Sequence, residues 1–162
     1  MCKIGVKKSM DTYKRLSDLL EQVCLDEGVE LNEIFDMPQK DNTNLILQFE
    51  KKFEVKLPED YKFFLLKYGS GGMENFDYFG IESKKCNIDM CTVSLMTSEY
   101  RKKGMPNNLV VIEYDGDYIT CIDTLKENKG QIVTWSWLDN GKIVEKADNF
   151  EEYFIEKLED YV

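Results

Sequence analysis

The sequence predicts an α+β fold in which an antiparallel meander sheet carries helices packed on one face. Three observations predict it. Residues 109–147 hold short apolar runs separated by the turn dipeptides Asp115-Gly116 and Asn140-Gly141, which mark tight hairpins. Segments with a helical apolar period lie on both sides of that region. The order of parts is helices, a strand, a helix, the meander and a closing helix, and one face of such an antiparallel sheet must be covered by the helices.

The first helix is expected over about Met10 to Glu27. There Tyr13, Leu16, Leu19, Leu20, Val23 and Cys24 recur on one side, and Gly28 is placed to end it. Val29 to Asp41 reads as irregular. A second helix begins near Asp41 or Thr43 and turns Leu45, Ile46, Phe49 and Phe53 inward. In LPEDYKFFLLKYGSGG, Pro58 suits the first helical position because its missing N–H costs nothing there. Glu59 and Asp60 meet the positive end of the helix dipole. Tyr61, Phe64, Leu65 and Tyr68 follow at helical spacing, Gly69 can cap, and Gly71 and Gly72 free the chain to turn.

The period then changes to two. Phe76, Tyr78, Phe79 and Ile81 read as a strand or bent strand pair, with Asp77 on the other side. Thr92 to Lys103 reads as a helix with Val93, Met96 and Tyr100 inward. LVVIEY and YITCID form one hairpin, and QIVTWSW and KIVEK a second. Alternation places Trp135 and Trp137 on one face, with the core as the favoured side. A final helix starts near Asn149, with Asp148 and Glu151 as a capping box. Phe150, Tyr153, Phe154, Leu158 and Tyr161 form its apolar face.

Length and composition limit the rest. A chain of 162 residues suits one domain, taken here as 1–162, and buries roughly 70% of its surface on folding. No apolar run reaches the roughly 18 residues that span a bilayer. MCKIGVKKSM is basic but has no apolar stretch behind it, so it does not read as a secretory signal. The five cysteines are Cys2, Cys24, Cys86, Cys91 and Cys121. An odd number without such a signal points to reduced thiols in a cytoplasm, with Cys24 and Cys121 as small core residues.

Lysine and arginine number 21 against 31 acids, histidine is absent, and the net charge is −10. That charge repels nucleic-acid backbones and anionic membranes and favours basic partners. The missing histidine removes the commonest general base and transition-metal ligand. Asp115 and Asp117 flank a turn glycine but lack the ligand number of a calcium loop. The glycines at 69–72 follow a helix, where a phosphate loop would precede one. The sequence therefore predicts no catalytic residues, no metal and no cofactor.

Several of these segments together resemble the SUKH superfamily, which holds fungal cell-wall-synthesis regulators and many bacterial immunity proteins. The resemblance lies in LPEDYKFFLLKYGSGG with FDYFGIE after it and EKKFEVKLP leading in. NLVVIEYDGDYITCIDT, QIVTWSW and DNFEEYFIEKL follow in the family's order. It covers about Asp41 to Tyr161. Residues 1–40 add a helix and an irregular segment. The resemblance implies a non-catalytic binding domain, with Leu57, Pro58, Tyr61, Leu65, Tyr68, Gly69 and Gly72 as residues of the fold. It also implies a cytoplasmic immunity protein, an antitoxin that neutralises a secreted or contact-delivered toxin. An adaptor or regulatory module on the same fold is the alternative.

Charge adds the surface. Residues 109–125 carry Glu113, Asp115, Asp117 and Asp123 with no base, and residues 145–162 carry seven acids against two bases. A basic nuclease domain is the partner that such acid suits, because it must present lysine and arginine to phosphate. The expected contact residues are Glu113, Asp115, Asp117, Asp139, Asp77 and Glu74, on a chain expected to be a monomer.

Overall fold

The computed structural model describes residues 13–82, 92–128 and 130–162. The expected helix start at Met10, together with Cys2, Cys86, Cys91 and the side chain of Asp115, lies outside what is described.

Helix α1 spans Lys14–Glu27 and buries Leu16, Leu20, Val23 and Cys24. It stops at Gly28, whose φ of 68° is left-handed. The segment expected to be irregular holds two short elements. A one-turn helix α2, Leu31–Ile34, is opened by a Glu30–Glu33 capping box. It leads into strand β1, Phe35–Asp36. Helix α3 is Thr43–Phe53, with Asp41 Oδ1 accepting from the Thr43 amide and hydroxyl at 2.9 and 2.6 Å.

Helix α4 is Glu59–Lys67, so Pro58 stands at the cap, one residue before the expected position. Tyr61, Leu65 and Tyr68 are almost fully buried. The glycines after it do more than turn the chain. They build strand β2, Ser70–Met73, which pairs with β3, Phe76–Tyr78. A Cβ on Gly72 would lie 2.0 Å from the Phe76 carbonyl oxygen, and one on Gly71 would lie 2.3 Å from that of Ile34. Close backbone approach explains these glycines.

Helix α5 is Val93–Lys102, capped by Thr92 Oγ1 accepting from the Leu95 amide at 3.1 Å. Strands β4 (Leu109–Asp115), β5 (Tyr118–Asp123), β6 (Ile132–Ser136) and β7 (Lys142–Ala147) follow. Helix α6, Phe150–Glu159, closes the described chain. Its cap is Asn149, whose Oδ1 accepts from the Glu152 amide at 2.9 Å, in place of the expected Asp148 box.

The sheet is a seven-stranded antiparallel meander in sequence order, β1 to β7. One face carries the larger core. Phe76, Tyr78, Val110, Ile112, Ile122 and Ile132 meet the buried sides of α1, α3, α4 and α6. Phe64 sits among Tyr78, Phe150 and Phe154 at 5.3–5.7 Å between ring centroids, the spacing of edge-to-face and tilted aromatic pairs.

The α+β meander is the one expected, but its helices are not all on one face. Alternation along β4, β5 and β6 sends Val111, Ile119, Cys121, Val133 and Trp135 to the other side, where they form a second cluster with Tyr100 and Met105. Helix α5 covers that side. Thr97 Oγ1 accepts from the Val111 amide at 3.1 Å, and the Tyr100 ring meets Trp135 edge-on at 6.2 Å. The strands are apolar on both faces, so both need cover.

Candidate protein-binding surface

In a meander, successive turns fall at alternate ends of the sheet. The β2–β3, β4–β5 and β6–β7 turns therefore share one end, and the connections β3–β4 and β5–β6 share the other. This places the expected contact residues. Glu74 is exposed in the β2–β3 turn, Asp117 in the β4–β5 turn and Asp139 in the β6–β7 turn. Asp115 pairs with Tyr118 at the mouth of its turn. Asp77 is exposed beside Glu74, and partial desolvation raises its carboxyl pKa.

Each turn is held in place. Asn75 fixes the first against the end of α6. Its amide donates to Tyr161 Oη at 3.2 Å, and its Nδ2 donates to the Lys157 carbonyl at 2.8 Å and to Asp160 Oδ2 at 3.2 Å. Gly116, with φ 61°, makes the tight second turn. In the third, Asn140 and Gly141 both take left-handed φ, and the Asp139 amide donates to Ser136 Oγ at 3.3 Å. The Asp139 carboxylate pairs with Lys142 at 3.7 Å, both side chains being half exposed.

Glu113 does not join this end. It is 6% exposed. Its Oε1 accepts from Tyr153 Oη at 3.0 Å and its Oε2 from the Asp77 amide at 2.9 Å. A bulge between Val111 and Glu113 shifts the strand's parity and turns the carboxylate toward α6. Burial raises the pKa of the adjacent Tyr78 hydroxyl well above its usual value, and the Glu113 charge adds to this. Glu113 therefore belongs to the interior of the sheet–helix layer.

Placing both tryptophans in the core also needs correction. Trp135 is 2% exposed and Trp137 is 48% exposed. Strand β6 ends at Ser136, so Trp137 already belongs to the turn. It joins Tyr114, Leu138 and Ile143, which are also exposed and which acid content alone did not single out. The Asn140-Gly141 turn signal, set against the length of the strand, was the available clue.

Two hollows accompany these elements. A cleft of about 1020 Å³ lies at the opposite end of the sheet, between the α3–α4 connection and the β5–β6 loop. A groove of about 460 Å³ runs between β5–β7 and α6, past Tyr118, Thr120 and Thr134. Burial raises the pKa of both described thiols, Cys24 and Cys121, and a buried protonated thiol is inert. Among the described residues no group of His, Cys, Asp and Glu side chains is placed to hold a metal ion. No helix among them is long and apolar enough to cross a membrane.

Comparison with known proteins shows the family and the fold. Residues 16–159 match the SUKH_5 family model, described as SMI1-KNR4 cell-wall. Among solved structures, a protein from Pseudomonas syringae pv. tomato shares the fold, with a TM-score of 0.55 and 16% identity. That match covers 81% of this chain and 88% of the other.

Proposed function

Because the chain belongs to the SUKH superfamily, within its SMI1-KNR4 group, we propose that it is a bacterial immunity protein that neutralises a cognate toxin domain by binding it. Members of the group are generally non-catalytic immunity or regulatory modules. The toxin is a basic nuclease domain, and the encounter takes place in the cytoplasm, where such a toxin acts.

The observation that carries this reading is the shared sheet end. Three turns set Glu74, Asp117 and Asp139 in solvent on one side of a chain whose net charge is −10. A nuclease collects lysine and arginine around its phosphate path. A rigid row of carboxylates attracts that path from a distance and raises the rate of encounter. Speed matters to an immune cell, because each delay is damage to its own nucleic acid.

Survival of a host cell tests the reading. The toxin domain encoded beside this chain's gene is expressed with and without the chain. Growth is expected to stop with the toxin alone and to resume when the chain is present. Continued arrest with the folded chain in excess would contradict it.

A further inference from the structure

We propose that the toxin partner seats on the α5 face of the sheet, at the turn end, with Tyr114, Trp137, Leu138 and Ile143 as its apolar anchors and its basic side chains over the adjoining carboxylates. The assignment rests on the neutraliser reading and specifies which surface performs it.

The register defines the patch. Tyr114 pairs with Ile119, Ile119 with Trp135, and Trp135 with Ile143. These four residues form one row across β4, β5, β6 and β7 on the side that α5 covers. The two inner members are covered, Ile119 at 1% and Trp135 at 2% exposure, while Tyr114 and Ile143 at the ends are 55% and 48% exposed. The Tyr100 ring meets Trp135 edge-on at 6.2 Å, in the middle of the row. Trp137 and Leu138, 48% and 56% exposed, extend the patch into the next turn. Elsewhere, exposed Leu25 and Val162 lie at a helix end and at the last residue, and exposed Leu47 and Leu125 line the cleft at the opposite end of the sheet. Exposed aromatic side chains gathered on a rigid sheet mark an interaction surface.

The charge of the occupant follows from two features. Lys103 Nζ already lies 5.5 Å from the Trp137 ring and 4.8 Å from the Tyr100 ring, so these rings accept a cation on their faces. Exposed carboxylates stand at the same end of the sheet, Asp117 in the β4–β5 turn and Asp139 in the β6–β7 turn, and Glu145 follows Ile143 by two residues along β7. The Asp139–Lys142 pair, 3.7 Å long and exposed at both ends, is weak enough to exchange for an arginine from outside. Aromatic rings beside carboxylates suit guanidinium groups, the signature of a nucleic-acid-binding protein surface.

The test measures binding of the adjacent gene's toxin domain to the unaltered chain and to Tyr114→Ser, Trp137→Ala and Leu25→Ala. Tyr114→Ser and Trp137→Ala are expected to weaken binding about 30-fold or more, chiefly through faster dissociation, with Leu25→Ala unchanged. Both anchor variants should keep the parent unfolding midpoint, since each side chain is about half exposed. In the unaltered chain the Trp137 indole N–H resonance should shift on binding. If the parent binds and both anchor variants bind equally well, this surface is wrong and the neutraliser reading stands. If the parent does not bind, both fall together.

Discussion

Asp60, the second residue of α4, caps α6: its Oδ2 accepts the backbone amide of Glu151 at 2.9 Å. Its Oδ1 accepts the Tyr61 amide at 2.8 Å. One carboxylate thus joins α4 to α6, the last helix of the described chain. Burial, the largest influence, raises the Asp60 pKa, and the amides that it accepts offset this only in part. Glu151 is raised as well, first by burial and then by the Asp60 charge, with Arg15 acting the other way.

A pH dependence follows. A carboxyl whose folded pKa is raised takes up its proton in the folded state first, so its contribution to stability grows as pH falls toward the unfolded value. The stability of the parent relative to Asp60→Asn should therefore rise between about pH 7 and pH 4. Thermal unfolding of both proteins across that range measures it. A parent stability that falls relative to Asp60→Asn toward acid would contradict the assignment.

Glu50 has the opposite sign. It is 4% exposed. It accepts from the Leu57 amide at 2.9 Å, from Lys56 at 3.0 Å and, as an ion pair, from Lys62 at 3.3 Å. Burial pushes its pKa up, but the Leu57 amide and the two ammonium groups outweigh this and leave it lowered. Its stabilisation is present above the ordinary carboxylate range and is lost as pH falls through the folded value. Glu50→Gln should cost about 1–3 kcal/mol at neutral pH, with the difference closing in acid. Urea denaturation at two pH values checks both statements.

Gly72 and Gly116 should respond differently to alanine. At Gly72 the new Cβ would meet the Phe76 carbonyl oxygen at 2.0 Å, and backbone must move. At Gly116 nothing lies within 4 Å and only the φ of 61° resists. Gly72→Ala should cost about 3 kcal/mol or more, by overpacking. Gly116→Ala should cost about 1 kcal/mol, from left-handed strain alone. Equal unfolding midpoints would remove the close-approach explanation for the glycine-rich strand.

Tyr61 is fully buried, with its ring 5.1 Å from that of Phe150. Tyr61→Ala should destabilise by about 3–5 kcal/mol, as truncation of buried aromatics does. Calorimetry of the purified variant reads this directly, and an unchanged midpoint would contradict the packing described.

What the sequence made legible was local. The Leu57-Pro58 entry, the Tyr61–Leu65 face and the Gly69 exit belong to one helix and its two flanks, and the Asp115-Gly116 turn specifies its own hairpin. The remainder depended on partners distant in sequence. Ser70–Met73 has no apolar alternation, and it is a strand because Phe35 and Phe76–Tyr78 pair on either side of it. The position of α5 was hidden because strands apolar on both faces do not say which helix covers which. Glu113 turned inward through a bulge, and one extra residue in a strand leaves no mark in an alternating pattern. Of the acidic candidates, Glu74, Asp117 and Asp139 lie in turns and stay in solvent, as does Asp77 on the open side of β3, while the bulge in β4 turns Glu113 inward.

The central claim is that carboxylates at one end of the sheet steer a basic partner. Stopped-flow association of the chain with its adjacent-gene toxin domain, at low and high salt, tests it most directly. The comparison is between the parent and a variant with Asp115, Asp117 and Asp139 all changed to asparagine. The account predicts a parent rate that falls steeply with salt. The variant should associate more slowly at low salt, with a flatter salt dependence and little change in dissociation. Equal low-salt association rates would contradict it and remove these turns from the interface.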